Sequence, residues 1–279
     1  MRRISDTTGL GASRVERAPA SHADLGPAAA ASTGISLQSV RKRFAELLAL
    51  DDITVEVAQH SRVGIVGPSG GGKSTLLQIV AGLLEPSEGV VNVGGATDAK
   101  GRLSRCAMMP QRDLLLPWKS ALDNAIIALQ NKGVSRNDAR ERTRPLFEHF
   151  GLANFEDVRP DQLSGGMRQR VSFLRTLMAE KDVLLLDEPF GALDSITRGQ
   201  MQEWLLRALG DVPRTVLLVT HDVEEALVLS KTVVVMSASP GHVLRILDVD
   251  IDTSRGSRRE IVTSAGFVAL KEHALEAIE

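Results

Sequence analysis

Cysteine is almost absent from this 279-residue chain: Cys106 stands alone and can close no internal disulfide and build no cysteine-rich metal site. That suits a reducing compartment, where a lone cysteine serves as a small buried hydrophobe. Tyrosine is missing and aromatics make up 3% of residues, so stacking platforms for nucleic acid are few. The net charge of -2, from 33 Lys+Arg against 35 Asp+Glu, gives no bulk electrostatic footprint for a polyanion, and no nucleic-acid partner is expected. Nothing approaches the roughly 18 consecutive apolar residues of a membrane-crossing helix, so a membrane role would be played through a partner. With 43% hydrophobic and 24% charged residues, the chain can bury a sizeable core in one or two domains.

Residues 1–34 are rich in Ala, Ser, Gly and Pro, carry scattered Arg2, Arg3, Arg14 and Arg17, and lack apolar periodicity. They read as a disordered tail; the Ala28 to Ala31 run is too short and too weakly hydrophobic for a targeting core. From Ile35 the pattern changes. Ile53, Val55 and Val57 alternate, and Val63, Ile65 and Val66 follow, as strands separated by a turn do. Leu76, Leu77, Val80, Leu83 and Leu84 then recur at helical spacing behind a glycine-rich turn. Residues 111–178 read as mostly helical, with a Ser135-x-x-Asp138 capping box before a charged helix that closes near Gly151. Val183 to Leu186 and Val216 to Thr220 are short continuous apolar runs, the kind covered by helices on both faces. Ile196 to Leu209 has the helical period and stops at Gly210. This order predicts an α/β fold with a mostly parallel central sheet, interrupted by a helical insertion.

Between the strand at Val63 and the helix at Lys73 lies Gly67-Pro68-Ser69-Gly70-Gly71-Gly72-Lys73-Ser74-Thr75, which satisfies the P-loop pattern in the strand-to-helix setting that gives it meaning. Glycines let successive backbone N–H groups face one point, an anion nest reinforced by the positive end of the following helix. A triphosphate is its natural occupant. Lys73 would reach the β- and γ-phosphates, and Ser74 would offer its hydroxyl to Mg²⁺, which prefers oxygen donors. Downstream, the apolar strand Val183-Leu184-Leu185-Leu186 ends in Asp187 and Glu188, at the strand end where open α/β sheets bind ligands. Alone, such a pair is as readily a solvated strand end. Behind a P-loop, Asp187 would hold Mg²⁺, while Glu188, its side chain directed the other way by strand alternation, would take a proton from attacking water.

Leu163-Ser164-Gly165-Gly166-Met167-Arg168-Gln169-Arg170, standing just before a helix, resembles the signature motif of ATP-binding cassette ATPases. The rest of that family's set stands in the right order along the chain: Gln111 in the Q-loop ahead of it, then Asp187 and Glu188 in Walker B, Ala192-Leu193-Asp194 in the D-loop and His221 in the switch. The resemblance covers about residues 36–245. It implies an antiparallel β subdomain beside the parallel sheet. It also implies a head-to-tail dimer with a second copy of the chain, in which the P-loop of one and Ser164, Gly165, Gly166 and Gln169 of the other enclose each ATP. By the same resemblance His221 contacts the γ-phosphate, Gln111 senses Mg²⁺ and the attacking water, and Asp194 communicates across the dimer. Phe44 matches the position where the family stacks an aromatic ring on adenine, although a core Phe at a strand end is a comparable reading.

The stretch Pro110 to Trp118, with Leu116-Pro117-Trp118 after the Q-loop, then Asp123-Asn124 and His221-Asp222-Val223-Glu224-Glu225-Ala226, resembles the nitrate/sulfonate/taurine group of bacterial importers. Such a subunit would sit on the cytoplasmic face of the inner membrane. It would power separate permease subunits fed by a substrate-binding protein. Trp118 beside Pro117 is either a rigid anchor for the permease or a packing residue inside the helical insertion. His60-Ser61, Lys231-Thr232 and Ala179-Glu180-Lys181 depart from the family's habits, none at a phosphate-handling position. The domain reading is therefore a tail over 1–34, an ATPase domain over 35–245 with a helical subdomain near 111–178, and a short C-terminal tail over 246–279. A soluble cassette acting on nucleic acid or ribosomes is the alternative, but no heptad run supports the coiled-coil insertion such proteins carry. A P-loop kinase or GTPase would leave the Ser164-Gly165-Gly166 motif and His221 without purpose.

Overall fold

A computed structural model describes residues 33–191, 193–211, 213–251 and 258–278. Residues 1–32 of the expected tail lie outside this description, and Thr33 and Gly34 belong to the first strand. The chain opens with β1 (Thr33–Phe44), β2 (Leu47–Ala58) and β3 (Arg62–Val66), then α1 (Lys73–Ala81), β4 (Glu88–Val93), α2 (Ala99–Arg105) and β5 (Cys106–Met109). A helical stretch follows: α3 (Ala121–Ala125), α4 (Ile127–Asn131), α5 (Arg136–His149) and α6 (Gly165–Leu177). Strand and helix alternate through β6 (Val183–Asp187), α7 (Ser195–Asp211), β7 (Thr215–Val219), α8 (Val223–Leu229) and β8 (Thr232–Met236). Last come β9 (Val243–Asp248), α9 (Arg258–Thr263) and α10 (Ala265–Ile278).

Two sheets result. The larger runs β5-β6-β7-β3-β8-β9, parallel throughout except for β9, which lies antiparallel to β8. The smaller is antiparallel, in the order β2-β1-β4. The continuous apolar runs are explained by which face each residue serves. On β6, Leu184 and Leu186 join one hydrophobic cluster while Val183 and Leu185 join another; β7 divides Val216 and Leu218 from Leu217 and Val219 in the same way. Side chains alternate across a strand, so both faces must be apolar when both are covered. One cluster takes in Leu76, Leu77, Ile79 and Val80 of α1 with the inner face of the small sheet; the other takes in α3, α6, α8 and α10.

The helical insertion is fastened by polar and aromatic contacts together. Asp123 on α3 receives Arg136 at 2.6 Å and Arg140 at 3.0 Å from α5. Ser135 caps α5, its hydroxyl accepting from the Asp138 N–H at 3.2 Å. Phe150 meets Trp204 of α7 edge-on with ring centroids 4.4 Å apart, and Phe173 of α6 meets Phe190 at 6.0 Å, so the insertion leans on the strand-end loop of β6. At the C-terminus, β9 runs through the boundary expected at 245, and α10 packs on α8, with Phe267 and Ala274 fully buried.

Candidate active site

Four loops meet at the C-terminal ends of β3, β5, β6 and β7, the edge where a parallel α/β sheet leaves room for a ligand. The loop after β3 is the glycine-rich one. Gly72 has φ 77°, a left-handed conformation that side chains resist, and a Cβ there would stand 2.6 Å from Leu50 Cδ2. A Cβ on Gly71 would stand 2.4 Å from the Ser237 carbonyl oxygen, so the loop is pressed against its neighbour and only glycine fits. α1 begins at Lys73 without a side-chain cap, which leaves its first N–H groups facing the groove.

Lys73 is buried, and its Nζ donates to the carbonyls of Gly67 at 2.8 Å and Pro68 at 2.7 Å. Burial lowers the pKa of this ammonium, while Glu188 and Asp187 pull it back up. Ser74 donates from Oγ to Asp187 Oδ1 at 3.1 Å, joining loop and strand end. Burial pushes the Asp187 carboxyl above its ordinary range, opposed by the Ser74 hydrogen bond.

β6 ends at Asp187, and Glu188 leaves the strand with φ 47°. Simple strand alternation therefore does not carry through to Glu188: its left-handed backbone turns it so that it lines the same groove as Lys73 and Ser74. Such a conformation costs a non-glycine residue about 1–2 kcal/mol and persists only where surrounding contacts fix it. Four contacts fix this one. Its N–H donates to the Val219 carbonyl at 2.8 Å, and its own carbonyl accepts from Gln169 Nε2 at 2.9 Å. Its carboxylate accepts from Gln111 Nε2 at 2.9 Å and stands 3.3 Å from His221 Nδ1.

The groove, about 350 Å³, is lined by Phe44, the P-loop residues Ser69, Gly70, Gly72, Lys73, Ser74 and Thr75, and by Gln111 and Glu188. Sequence reasoning missed three of its walls, Leu47, Ala49 and Ser239. Ala49 is held by the Gly241 N–H, which donates to its carbonyl at 3.0 Å, and the Pro240-Gly241 turn dipeptide was the one signal of that support. A larger cavity of about 510 Å³ lies elsewhere, between α5, α6 and α7 around Leu146, Met178 and Trp204, and offers neither a backbone anion nest nor a carboxylate pair.

The structure does not bring every expected residue to the groove. Ser164 and Gly165 are exposed and absent from its lining, and so is Asp194. Ser164 caps α6, accepting from the Met167 N–H at 3.2 Å, while Gly165 and Gln169 line a separate hollow with Gln111, Arg112, Asp113 and Leu114. Asp194 caps α7, its Oδ1 accepting from the N–H groups of Ile196 and Thr197 at 3.1 and 3.0 Å. The Q-loop is tied to the signature helix: Arg168 Nε reaches Asp113 Oδ2 at 3.0 Å, and Arg175 donates to the carbonyls of Asp113 and Leu114 at 2.7 and 2.8 Å. Beyond it, buried Asn124 exchanges hydrogen bonds with Leu116, accepting its N–H at 2.7 Å and donating to its carbonyl at 3.1 Å. That grip leaves Trp118 at the surface, 69% exposed, which settles it as an outward residue and not a packed one.

A P-loop groove lined by Glu188 and tied to Asp187 through Ser74, with a second glycine-bearing helix start exposed outside its lining, defines an ATP-binding cassette. The comparisons agree. The ABC transporter family model matches residues 50–191, and the chain belongs to that family. It is 50% identical over 204 residues to the aliphatic sulfonates import ATP-binding protein SsuB 1 of Rhodococcus jostii, covering 73% of this chain and 79% of that one. The taurine import ATP-binding protein TauB of Rhizobium johnstonii is 41% identical over 227 residues, covering 80% and 86% respectively. Among solved structures, the dimeric post-hydrolysis state of the ATP-binding cassette MJ0796 bound to ADP and Pi superposes with a TM-score of 0.71 at 29% identity. It covers 80% of this chain and 100% of that one.

Proposed function

We propose that the chain is the ATP-hydrolysing subunit of a bacterial importer, working as a head-to-tail pair of identical cassettes beneath separate permease subunits. The observation that carries this reading is the division of labour within one chain. The P-loop groove holds the reacting groups, while Ser164 and Gly165 stand exposed outside it. In the proposed dimer each ATP lies between the groove of one copy and the Ser164-Gly165-Gly166 motif of the other, a two-fold arrangement that creates two equal sites.

Within the groove Phe44 would meet the adenine, and Gly67, Ser69, Gly70, Gly71, Gly72 and Thr75 would wrap the phosphates with backbone N–H groups and hydroxyls, while Pro68, which has no N–H, would set the turn. Lys73 would exchange the carbonyls of Gly67 and Pro68 for β- and γ-phosphate oxygens. The oxygens of Ser74 and Asp187, 3.1 Å apart with the carboxyl buried, suit a hard cation. With Gln111 they would hold Mg²⁺. No group of three or more His, Cys, Asp or Glu side chains capable of holding a metal exists among the described residues, so the nucleotide and water would complete its shell. When bound, Mg²⁺ neutralises charge shared by the β- and γ-phosphates. Glu188 accepts a proton from the water that attacks the γ-phosphorus; the bond to the bridging oxygen breaks, and ADP and phosphate leave. His221, whose Nδ1 stands 3.3 Å from Glu188 Oε1, would orient that carboxylate and meet the γ-phosphate.

ATP bridging the two copies closes the pair, and hydrolysis releases it, a ligand shifting a two-state equilibrium. No helix among the described residues is long and apolar enough to cross a membrane. Transport is assigned to permease subunits that dock at the Q-loop surface around Trp118, with the cassette on the cytoplasmic face of the inner membrane. The names of the relatives favour an aliphatic sulfonate or taurine as cargo; nitrate, a small inorganic anion, is the further candidate, and a substrate-binding protein would deliver it. Light scattering on the Glu188→Gln variant tests the core of the proposal. Mass should double on adding ATP without Mg²⁺; an unchanged mass, with ATP bound, would refute the sandwich.

A further inference from the structure

Two loops beside the proposed site, the D-loop and the turn that carries His221, are joined by one side chain. Arg198, in the first turn of α7, donates from Nη2 to the Leu193 carbonyl at 3.1 Å, and its Nη1 stands 3.6 Å from Asp222 Oδ2. Leu193 precedes Asp194 in the D-loop, and Asp222 follows His221 directly. Asp222 has other commitments. Its Oδ1 accepts from the N–H groups of Glu224 and Glu225 at 2.9 and 3.2 Å, capping α8, and its own N–H donates to Thr220 Oγ1 at 3.1 Å. The turn that presents His221 is thus fixed at both ends by Asp222, and the guanidinium is its one ion-pair partner among the described residues.

The surroundings of Arg198 are incompletely paired. Its Nε is buried without an acceptor, and Gln202, one helical turn further along the same face, has neither an acceptor for its Nε2 nor a donor for its Oε1. Glu225 Oε1, on the helix that Asp222 caps, is likewise buried and unpartnered. Most buried polar atoms find a partner, so these orphans are left to pair with water or with a group that the joint brings to them when it shifts. At 3.6 Å the link to Asp222 is also longer than the roughly 2.7–2.9 Å of a fully formed charge-assisted hydrogen bond. Room exists for it to tighten. Arginine suits such a joint, because its planar fork serves two acceptors at once where an ammonium is a single point charge.

We propose that Arg198 is a positioning residue for hydrolysis, transmitting the placement of the D-loop to Asp222 and through it to the His221–Glu188 pair. The proposal rests on the roles given above to His221 and Glu188. Seating the D-loop against a second copy draws the Leu193 carbonyl and the Arg198 fork together toward Asp222. His221 then meets the γ-phosphate only when the far half of the site is occupied, which couples the two ATP sites.

The full-length chain carries the test, as Arg198→Gln, Asp222→Asn and the double variant. Asparagine caps helices as well as aspartate does, so Asp222→Asn keeps the α8 cap and deletes only the charge facing Arg198. Each single change should lower kcat on the order of tenfold, the scale of one hydrogen bond to a charged group, with the Kd for ATP and the Tm unchanged. The double variant should be no slower than either single, because all three cut the same link. In protein labelled at its histidines, the His221 resonance, assigned through His221→Gln, should move in both single variants while the other histidines stay in place. A parental kcat with an unmoved His221 signal would overturn the proposal. So would multiplying losses in the double variant, or losses matched by falls in ATP affinity or Tm, which would reduce Arg198 to a support of the fold. His221→Ala separates the two levels. If it hydrolyses ATP at the parental rate, the underlying reading of His221 fails; if it is inactive while Arg198→Gln and Asp222→Asn are not, only the present inference fails.

Discussion

Glu188→Gln isolates one function from several that the side chain performs. Glutamine has nearly the same size, so the groove keeps its shape and the left-handed backbone at 188 keeps its contacts to Val219 and Gln169. The two partners of the carboxylate can also adapt, since Gln111 can turn its amide over and His221 can present its other tautomer. What disappears is negative charge and basicity. Glu188 helps to raise the Asp187 carboxyl and also supports the buried Lys73 ammonium, so removing its charge relieves one repulsion and forfeits one attraction in the groove. Folding stability should therefore change by about 0.5 kcal/mol or less. General-base assistance contributes a factor of about 10² to 10⁴, or roughly 2.7–5.5 kcal/mol of barrier, and kcat for phosphate release should fall by that much. ATP affinity should hold or improve. Phosphate release followed at saturating ATP, with equilibrium ATP binding on the same preparation, checks both halves. Parental turnover would refute the assignment of the base, and loss of binding would show that the carboxylate shapes the P-loop instead.

Lys73→Ala should weaken ATP binding about 100-fold or more, since charge-assisted contacts to two phosphates vanish together; calorimetric titration showing a parental Kd would contradict the placement of Lys73. Ser164→Arg should leave ATP binding by the monomer intact yet abolish hydrolysis, because the damage falls on the second copy's site; monomer that no longer binds ATP would exclude that role. Trp118→Ala should leave ATP affinity and Tm unchanged while costing about 2 kcal/mol or more in permease association, the scale of an exposed aromatic hot spot, as read by co-purification and titration. Burial, with Asp222 nearby, pushes the Glu225 carboxyl from 4.5 to about 8, so the folded chain binds a proton there that the unfolded chain releases. Stability should then fall as pH rises through that window, by up to about 1.4 kcal/mol per unit, and Glu225→Gln should flatten the slope in urea unfolding at pH 6, 7 and 8. Midpoints of the parent that rise over this range would refute it.

The parallel sheet was legible because β6 and β7 are short apolar runs that only a doubly covered strand tolerates, and α1 because its leucines keep the helical period behind glycine. The groove was legible for a different reason: phosphate chemistry demands particular residue types at fixed spacing, and Gly67 to Thr75 supplies them. Less visible was anything set by contact across the chain. Nothing local announces that Ser237 and Gly241 press on the P-loop from below, because that contact depends on where β8 and β9 turn. The start of β1 at Thr33 escaped a composition-based reading for a related reason. Its register against β2 pairs Thr33 with Ala58, and pairing energy outweighs the weak strand preference of a Ser-Thr-Gly stretch.

The orientation of Glu188 is the sharpest case of tertiary structure overruling a local rule, and it also explains how the parts are joined. A strand that continued past Asp187 would have sent Glu188 away from the phosphates. Instead the chain breaks at the one residue whose amide is taken by β7, whose carbonyl is taken by the signature helix through Gln169 and whose carboxylate is taken by the Q-loop through Gln111. The Q-loop is held in turn by Arg168 and Arg175 of that same helix, and it leads on to the surface where Asn124 presents Trp118. On the proposed reading, no long-range wire is needed to connect a permease docked at Trp118 with Glu188 as the water-activating carboxylate. Both belong to one short hydrogen-bonded frame built on α6, so a shift of that helix must move Gln111, Gln169 or the backbone at 188. A strained residue held from three directions is the member of such a frame most sensitive to where the others stand.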